Sequence, residues 1–149
     1  MMALNALIAG PLLALLLMLF GVQHIRLPLP MLDRLVANES AGAIVWTMVP
    51  GAGIGFGCLW YWLVLVGRSR GISWGGACIY GVGIALADVL IWGLIGGTVH
   101  GAPLLGLLIG LVMLLMLPSL TLAMCVFGLI MGVLNGRAAQ RWIERRRGA

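Results

Sequence analysis

The chain has 149 residues, 62% of them hydrophobic and 9% charged, with a mean hydropathy of +1.14. A soluble domain carries charge on about a quarter of its residues, so this composition excludes one and points to a polytopic membrane protein, a single domain over residues 1–149. The net charge of +5 comes from nine Arg and no Lys against four acids. Those Arg residues cluster beside apolar runs, where topology and anionic headgroups account for them, and nucleic acid is not expected as a partner.

Runs of about 18 or more apolar residues mark helices able to cross a hydrocarbon core of about 30 Å. Four are present, at 3–22, 41–66, 77–99 and 104–134. The expected fold is all-α, a bundle of four transmembrane helices. The first run has no basic leader and no small-x-small cleavage site after it, so it is expected to remain attached.

The first loop contains Leu27, Pro28, Leu29 and Pro30, then a stretch with Met31, Leu32, Leu35 and Val36 on one side and Asp33, Arg34, Asn38 and Glu39 on the other. Pro30 suits a helix start, and the pattern predicts a short interfacial helix lying on the membrane surface. Asn38-Glu39-Ser40 matches a glycosylation sequon. A basic set made only of Arg is a habit of GC-rich bacterial genomes, which points to a bacterial inner membrane and makes that match one of chance.

The second run carries Gly51 with Gly55 and Gly53 with Gly57, spacings that let membrane helices approach closely. Because they lie within a helix, these glycines are packing notches rather than a nucleotide fingerprint. Trp46 lies near one end of this run and Trp60, Tyr61 and Trp62 towards the other, while Trp74 and Tyr80 flank the start of the third. Together they read as an interfacial aromatic belt.

The third run holds the most ordered pattern. Ala77, Gly81, Ala85, Val89, Gly93, Gly97 and Gly101 recur every four residues and draw a ridge of small side chains on which one neighbouring helix is expected to dock. Gly106 with Gly110, and Gly128 with Gly132 and Gly136, offer matching notches on the fourth run. Asp88, about 60° from the ridge at 100° per residue, is the one acid within the long apolar runs. A charged side chain at the bilayer centre costs roughly 2.5–3.5 kcal/mol on insertion scales, and such residues face a bundle interior or a polar path. A protonated Asp88 bonded to Ser119, Thr121 or a backbone group is the first expectation. A proton or ion path comes next, then a contact to another subunit or cofactor.

The fourth run is too long for one perpendicular crossing, since 31 helical residues reach roughly 46 Å. Splitting it at Pro118 into two full spans would put Arg137, Arg141, Arg145, Arg146 and Arg147 on the opposite side from Arg68 and Arg70. The positive-inside rule therefore favours one long helix kinked at Pro118, with both termini cytoplasmic and Ser119 and Thr121 satisfying the freed carbonyls. The tail at 137–149 reads as a headgroup anchor in which Trp142 sits among Arg141, Arg145, Arg146 and Arg147, with Arg68 and Arg70 at the same surface.

Cys58, Cys78 and Cys125 fall inside spans with no C-x-x-C spacing, so they read as small packing residues rather than a redox or disulfide set. His24 and His100 end the first and third runs on one side of the membrane, the placement two imidazoles need to ligate a heme or chlorophyll-type pigment. The sequence has no matched Ser-His-Asp set, H-E-x-x-H, phosphate loop or paired acids, and catalysis is not expected. The favoured expectation is a non-catalytic accessory subunit of a larger bacterial membrane complex of the respiratory or photosynthetic electron-transfer type, packed against other subunits through glycine-rich faces. A small homo-oligomeric proton-coupled transporter or channel using Asp88 is the alternative, with tetrapyrrole binding through His24 and His100 third.

Overall fold

The structure is a computed structural model that describes residues 1–22 and 41–147, with the side chains of 41–47 excepted. The interfacial helix and sequon expected in the first loop, His24, and the side chains of Trp46 and Thr47 lie outside the described residues. Among the described residues five helices follow in order: α1 (Met2–Leu19), α2 (Ala41–Arg70), α3 (Trp74–Val99), α4 (Pro103–Met116) and α5 (Pro118–Arg147). Four of them, all but α4, are long and apolar enough to cross a membrane. In an apolar medium every backbone N–H and C=O needs an internal partner, and helices supply it within one segment. The turns after α2 and α3 reverse at Gly71 and Gly101, whose φ of 77° and 72° suits glycine. Ser73 caps α3 by accepting from the Gly76 N–H at 3.2 Å.

Glycine notches fix the directions of the helices. Gly57 packs on Met2, Gly53 on Ala6 and Gly10 on Val49, so α1 and α2 run antiparallel. Gly51 meets Asp88 and Gly55 meets Ile84, so α2 and α3 are antiparallel as well. Phe56 meets Phe127 edge to face at 5.7 Å, and Gly67 faces Ile143, which sets α5 parallel to α2.

The buried positions of α3 are the ridge residues from Ala77 to Gly97 together with Asp88. Two helices dock on this ridge, where one was expected. α4 covers its later half, with Gly106 on Gly93 and Gly97 and Gly110 on Val89. α5 covers its earlier half, with Gly128 on Gly81 and Gly132 on Ala77. A methyl group on Gly128 would stand 2.6 Å from the Gly81 carbonyl oxygen, and one on Gly97 would stand 2.8 Å from the Gly106 Cα. These helices meet backbone to backbone, so the seam is held by dispersion contacts available only to small residues.

Both α4 and α5 advance towards the Trp74 end of α3, so the fourth apolar run does not reverse direction. It is nevertheless broken, which corrects the expectation of a single kinked helix. Leu117 leaves the helical region at φ −116°, ψ 80°, as the residue before a proline is pushed to do. Pro118 then opens a new helix. The carbonyl that would have received a Pro118 N–H is that of Leu114, and the Thr121 hydroxyl donates to it. Thr121 thus does what was expected of it; no hydrogen bond of Ser119 is seen among the described residues.

The basic tail also differs from its expected form. It continues α5 without interruption to Arg147, and Trp142 and Ile143 turn inward, with Ile143 buried beside Gly67. Cys58 is exposed rather than packed between helices, while Cys78 and Cys125 are half-buried. Tyr61, Trp62, Trp74 and Tyr80 are exposed as an aromatic belt requires, with Trp62 and Tyr80 at 4.7 Å from each other. Trp60 instead packs inward on Trp142.

Replacing Gly106 with Leu is expected to lower unfolding stability in detergent by about 1–3 kcal/mol, the usual range for overpacking. Gly83→Leu, at a position with no atom within 4 Å of the added carbon, should change it by no more than about 0.5 kcal/mol. Equal losses in the two variants would contradict the backbone contact between α3 and α4.

Candidate functional site at the seam of the second and third helices

Asp88 lies 14 residues from the start of α3 and 11 from its end, roughly 21 and 17 Å along the axis at 1.5 Å per residue. It is therefore near mid-membrane depth if α3 spans. The residue is 4% exposed. Its carboxyl occupies the volume that a side chain on Gly51 would fill, and Oδ1 lies over that glycine. Met48 and Ala52, on either side of Gly51, are buried, as are Ala85 and Val89 around Asp88. Glycine at 51 thus makes the room in which a carboxyl fits between two packed helices.

Among the described residues Oδ2 has no hydrogen-bond partner. The bonds expected from Asp88 to Ser119 or Thr121 are not formed, and the Thr121 hydroxyl is committed to the Leu114 carbonyl. A buried polar oxygen left unpaired is costly, by about 1–3 kcal/mol or more, and buried polar groups without partners are uncommon in folded proteins. Chemically the group can exchange a proton, bind a small cation, or receive a donor brought by another molecule. Thr47, one turn before Gly51 on α2, is the sequence neighbour whose side chain lies outside the described residues.

A second polar constellation went unread in the sequence. Asn5 on α1 and Asn135 on α5, both buried, exchange amide hydrogen bonds of 3.1 and 3.2 Å, and Asn135 Nδ2 also donates to the Met131 carbonyl at 2.9 Å. Side-chain amides in this setting tie one membrane helix to another. The available signal was an amide among apolar residues, the same signal that drew attention to Asp88. A separation of 130 positions in the sequence gave no reason to pair them.

The remaining expected site residues are dispersed. His100 is exposed at the C-terminal cap of α3, and His24 lies outside the described residues, so the proposed histidine pair has no described geometry. No three His, Cys, Asp or Glu side chains come together as a metal site among the described residues. Arg68, Arg70, Arg141, Arg145, Arg146 and Arg147 gather at one end of the bundle, where Arg147 Nη2 donates to the Arg68 carbonyl at 3.1 Å. The guanidinium groups of Arg68 and Arg146 lie 4.9 and 5.2 Å from the Trp142 ring centre.

Replacing both Asn5 and Asn135 with Leu should cost less than the sum of the two single changes. The coupling expected from a double-mutant cycle is about 0.6 kcal/mol, with about 1.7 as an upper value. Strict additivity would mean the amides do not act as a pair.

Comparison of the chain with protein-family models, with curated proteins and with solved structures found no match. The described residues form an all-helical structure, with four helices among them long and apolar enough to span a membrane, and this fits a multi-pass membrane protein.

Proposed function

We propose that this protein is a small, non-catalytic, proton- or cation-coupled transporter or channel of a bacterial cytoplasmic membrane, with Asp88 as its exchanging group and both termini on the cytoplasmic side. One observation carries this reading: the Asp88 carboxyl is buried at mid-depth against Gly51 with Oδ2 unpartnered among the described residues. An intramembrane ionisable side chain is a functional candidate by default. The packing glycines favoured an accessory subunit, yet those of α3, α4 and α5 are occupied by the chain's own helices. They no longer call for a partner. The orientation is supported by Arg68, Arg70 and the α5 arginines sharing one end of the bundle.

A second reading is the non-catalytic subunit of a membrane complex. It is favoured by the outer face of α3, where Gly83 and Ala87 are exposed four residues apart and, among the described residues, no helix covers them. A helix of another subunit fits such a notch. Self-association through the same face would supply a transporter with further polar groups.

In proteoliposomes carrying an imposed proton gradient, the intact protein should conduct or exchange protons or cations, and Asp88→Asn should abolish this while leaving the unfolding midpoint unchanged. Flux that survives Asp88→Asn would remove Asp88 from the mechanism. An absence of flux, combined with co-migration in mild detergent with other membrane proteins, would establish the subunit reading instead. A visible absorption band in that particle would bring heme or pigment partners back into consideration.

A further inference from the structure

At the basic end of the bundle, α5 turns Ala138, Arg141, Trp142 and Arg145 to one face, at the i, i+3 and i+4 spacings that align side chains along a helix. With Met1 and Trp60 they line an open cleft of about 450 Å³. Its aromatic wall is fixed. Trp60 and Trp142 meet edge to face at 6.1 Å, and Trp142 is held by cation–π contacts from Arg68 and Arg146. Arg141 and Arg145 are free of that clamp and stand one turn apart on the wall of the cleft. Among the described residues no carboxylate lines the cleft, and the nearby Glu144 is bonded to Gln140 at 2.8 Å.

We infer that this cleft binds one phosphate-bearing anion between the Arg141 and Arg145 guanidiniums, with the Trp60 and Trp142 pair as its apolar wall. Guanidinium groups present planar forks of donors that match phosphate oxygens. The aromatic wall suits a group that is polar at one end and carries apolar substance at the other, as indole-rich surfaces at headgroup level do. Arg68 and Arg146 add positive potential without filling the cleft. This site is a stoichiometric one, distinct from the diffuse attraction of a basic surface for an acidic membrane. It stands independently of what Asp88 does.

The test is native mass spectrometry of the full chain in detergent, titrated with phosphatidylglycerol. One lipid should bind ahead of all others, and phosphatidylcholine should not replace it. The double variant Arg141→Gln and Arg145→Gln, both exposed positions, should weaken that first binding by roughly thirtyfold, taking about 1 kcal/mol for each arginine, without moving the unfolding midpoint. The pair Arg70→Gln and Arg137→Gln, outside the cleft, should leave it unchanged. Displacement of the lipid by millimolar inorganic phosphate would identify free phosphate as an occupant of the same site, and retention would identify the lipid headgroup. Equal weakening by the Arg70 and Arg137 pair, or equal binding of phosphatidylcholine, would overturn the inference.

Discussion

The rest of the molecule depends on how closely other helices can approach α3. Lipid offers no hydrophobic drive to bring helices together, since its tails are as apolar as leucine. Association must come from contact, and contact is greatest where no side chain intervenes. The four-residue ridge from Ala77 to Gly97 provides that along the length of α3, and α4 and α5 supply facing glycines at Gly106, Gly110, Gly128 and Gly132. Larger residues such as Phe56, Phe127 and Met131 then fill the wider gaps between α2 and α5. Two partners divide the ridge, and the chain between them breaks at Leu117 and Pro118.

Asp88 sits just off this ridge, and its setting follows from the same rule. α2 approaches α3 through Gly51 and Gly55, but at Gly51 the free volume is occupied by the carboxyl rather than by backbone. Along this seam Gly55 receives the apolar Ile84 side chain, and Gly51 admits the one acidic side chain. Dense packing around a single polar group gives it a defined environment, which is what a proton- or cation-exchanging site needs. The basic end is organised differently, with long side chains, two indoles packed edge to face and an open cleft, in keeping with a surface that meets headgroups rather than other helices.

Much of this was legible in the sequence. Strict periodicity identified the α3 ridge, because four-residue spacing of small residues has one geometric meaning on a helix. The matching glycines of α4 and α5 and the burial of Asp88 followed from the same reasoning. The Thr121 bond at the proline was also readable, since Pro118 removes a donor to a carbonyl at a known offset. What failed concerned relations between distant segments. Charge asymmetry argued for a single crossing after residue 104, which the common direction of α4 and α5 matches, but it could not distinguish a kink from a break. The inward turn of Trp142 and the continuation of α5 were hidden by a composition typical of surface anchors. Asn5 and Asn135 were passed over because each, taken alone, is an ordinary polar residue near the edge of an apolar run.

That asparagine pair links α1 to α5. A chain made from its N-terminus delivers α1 to the membrane long before α5 exists, so the Asn5 amide must wait for its partner until 130 further residues have been added. During that interval an amide in lipid has an unmet demand that only water, headgroups or a temporary neighbour can serve. The bond that joins α1 to α5 thus forms only after α5 has been made, and it ties together two helices that enter the bundle at different times.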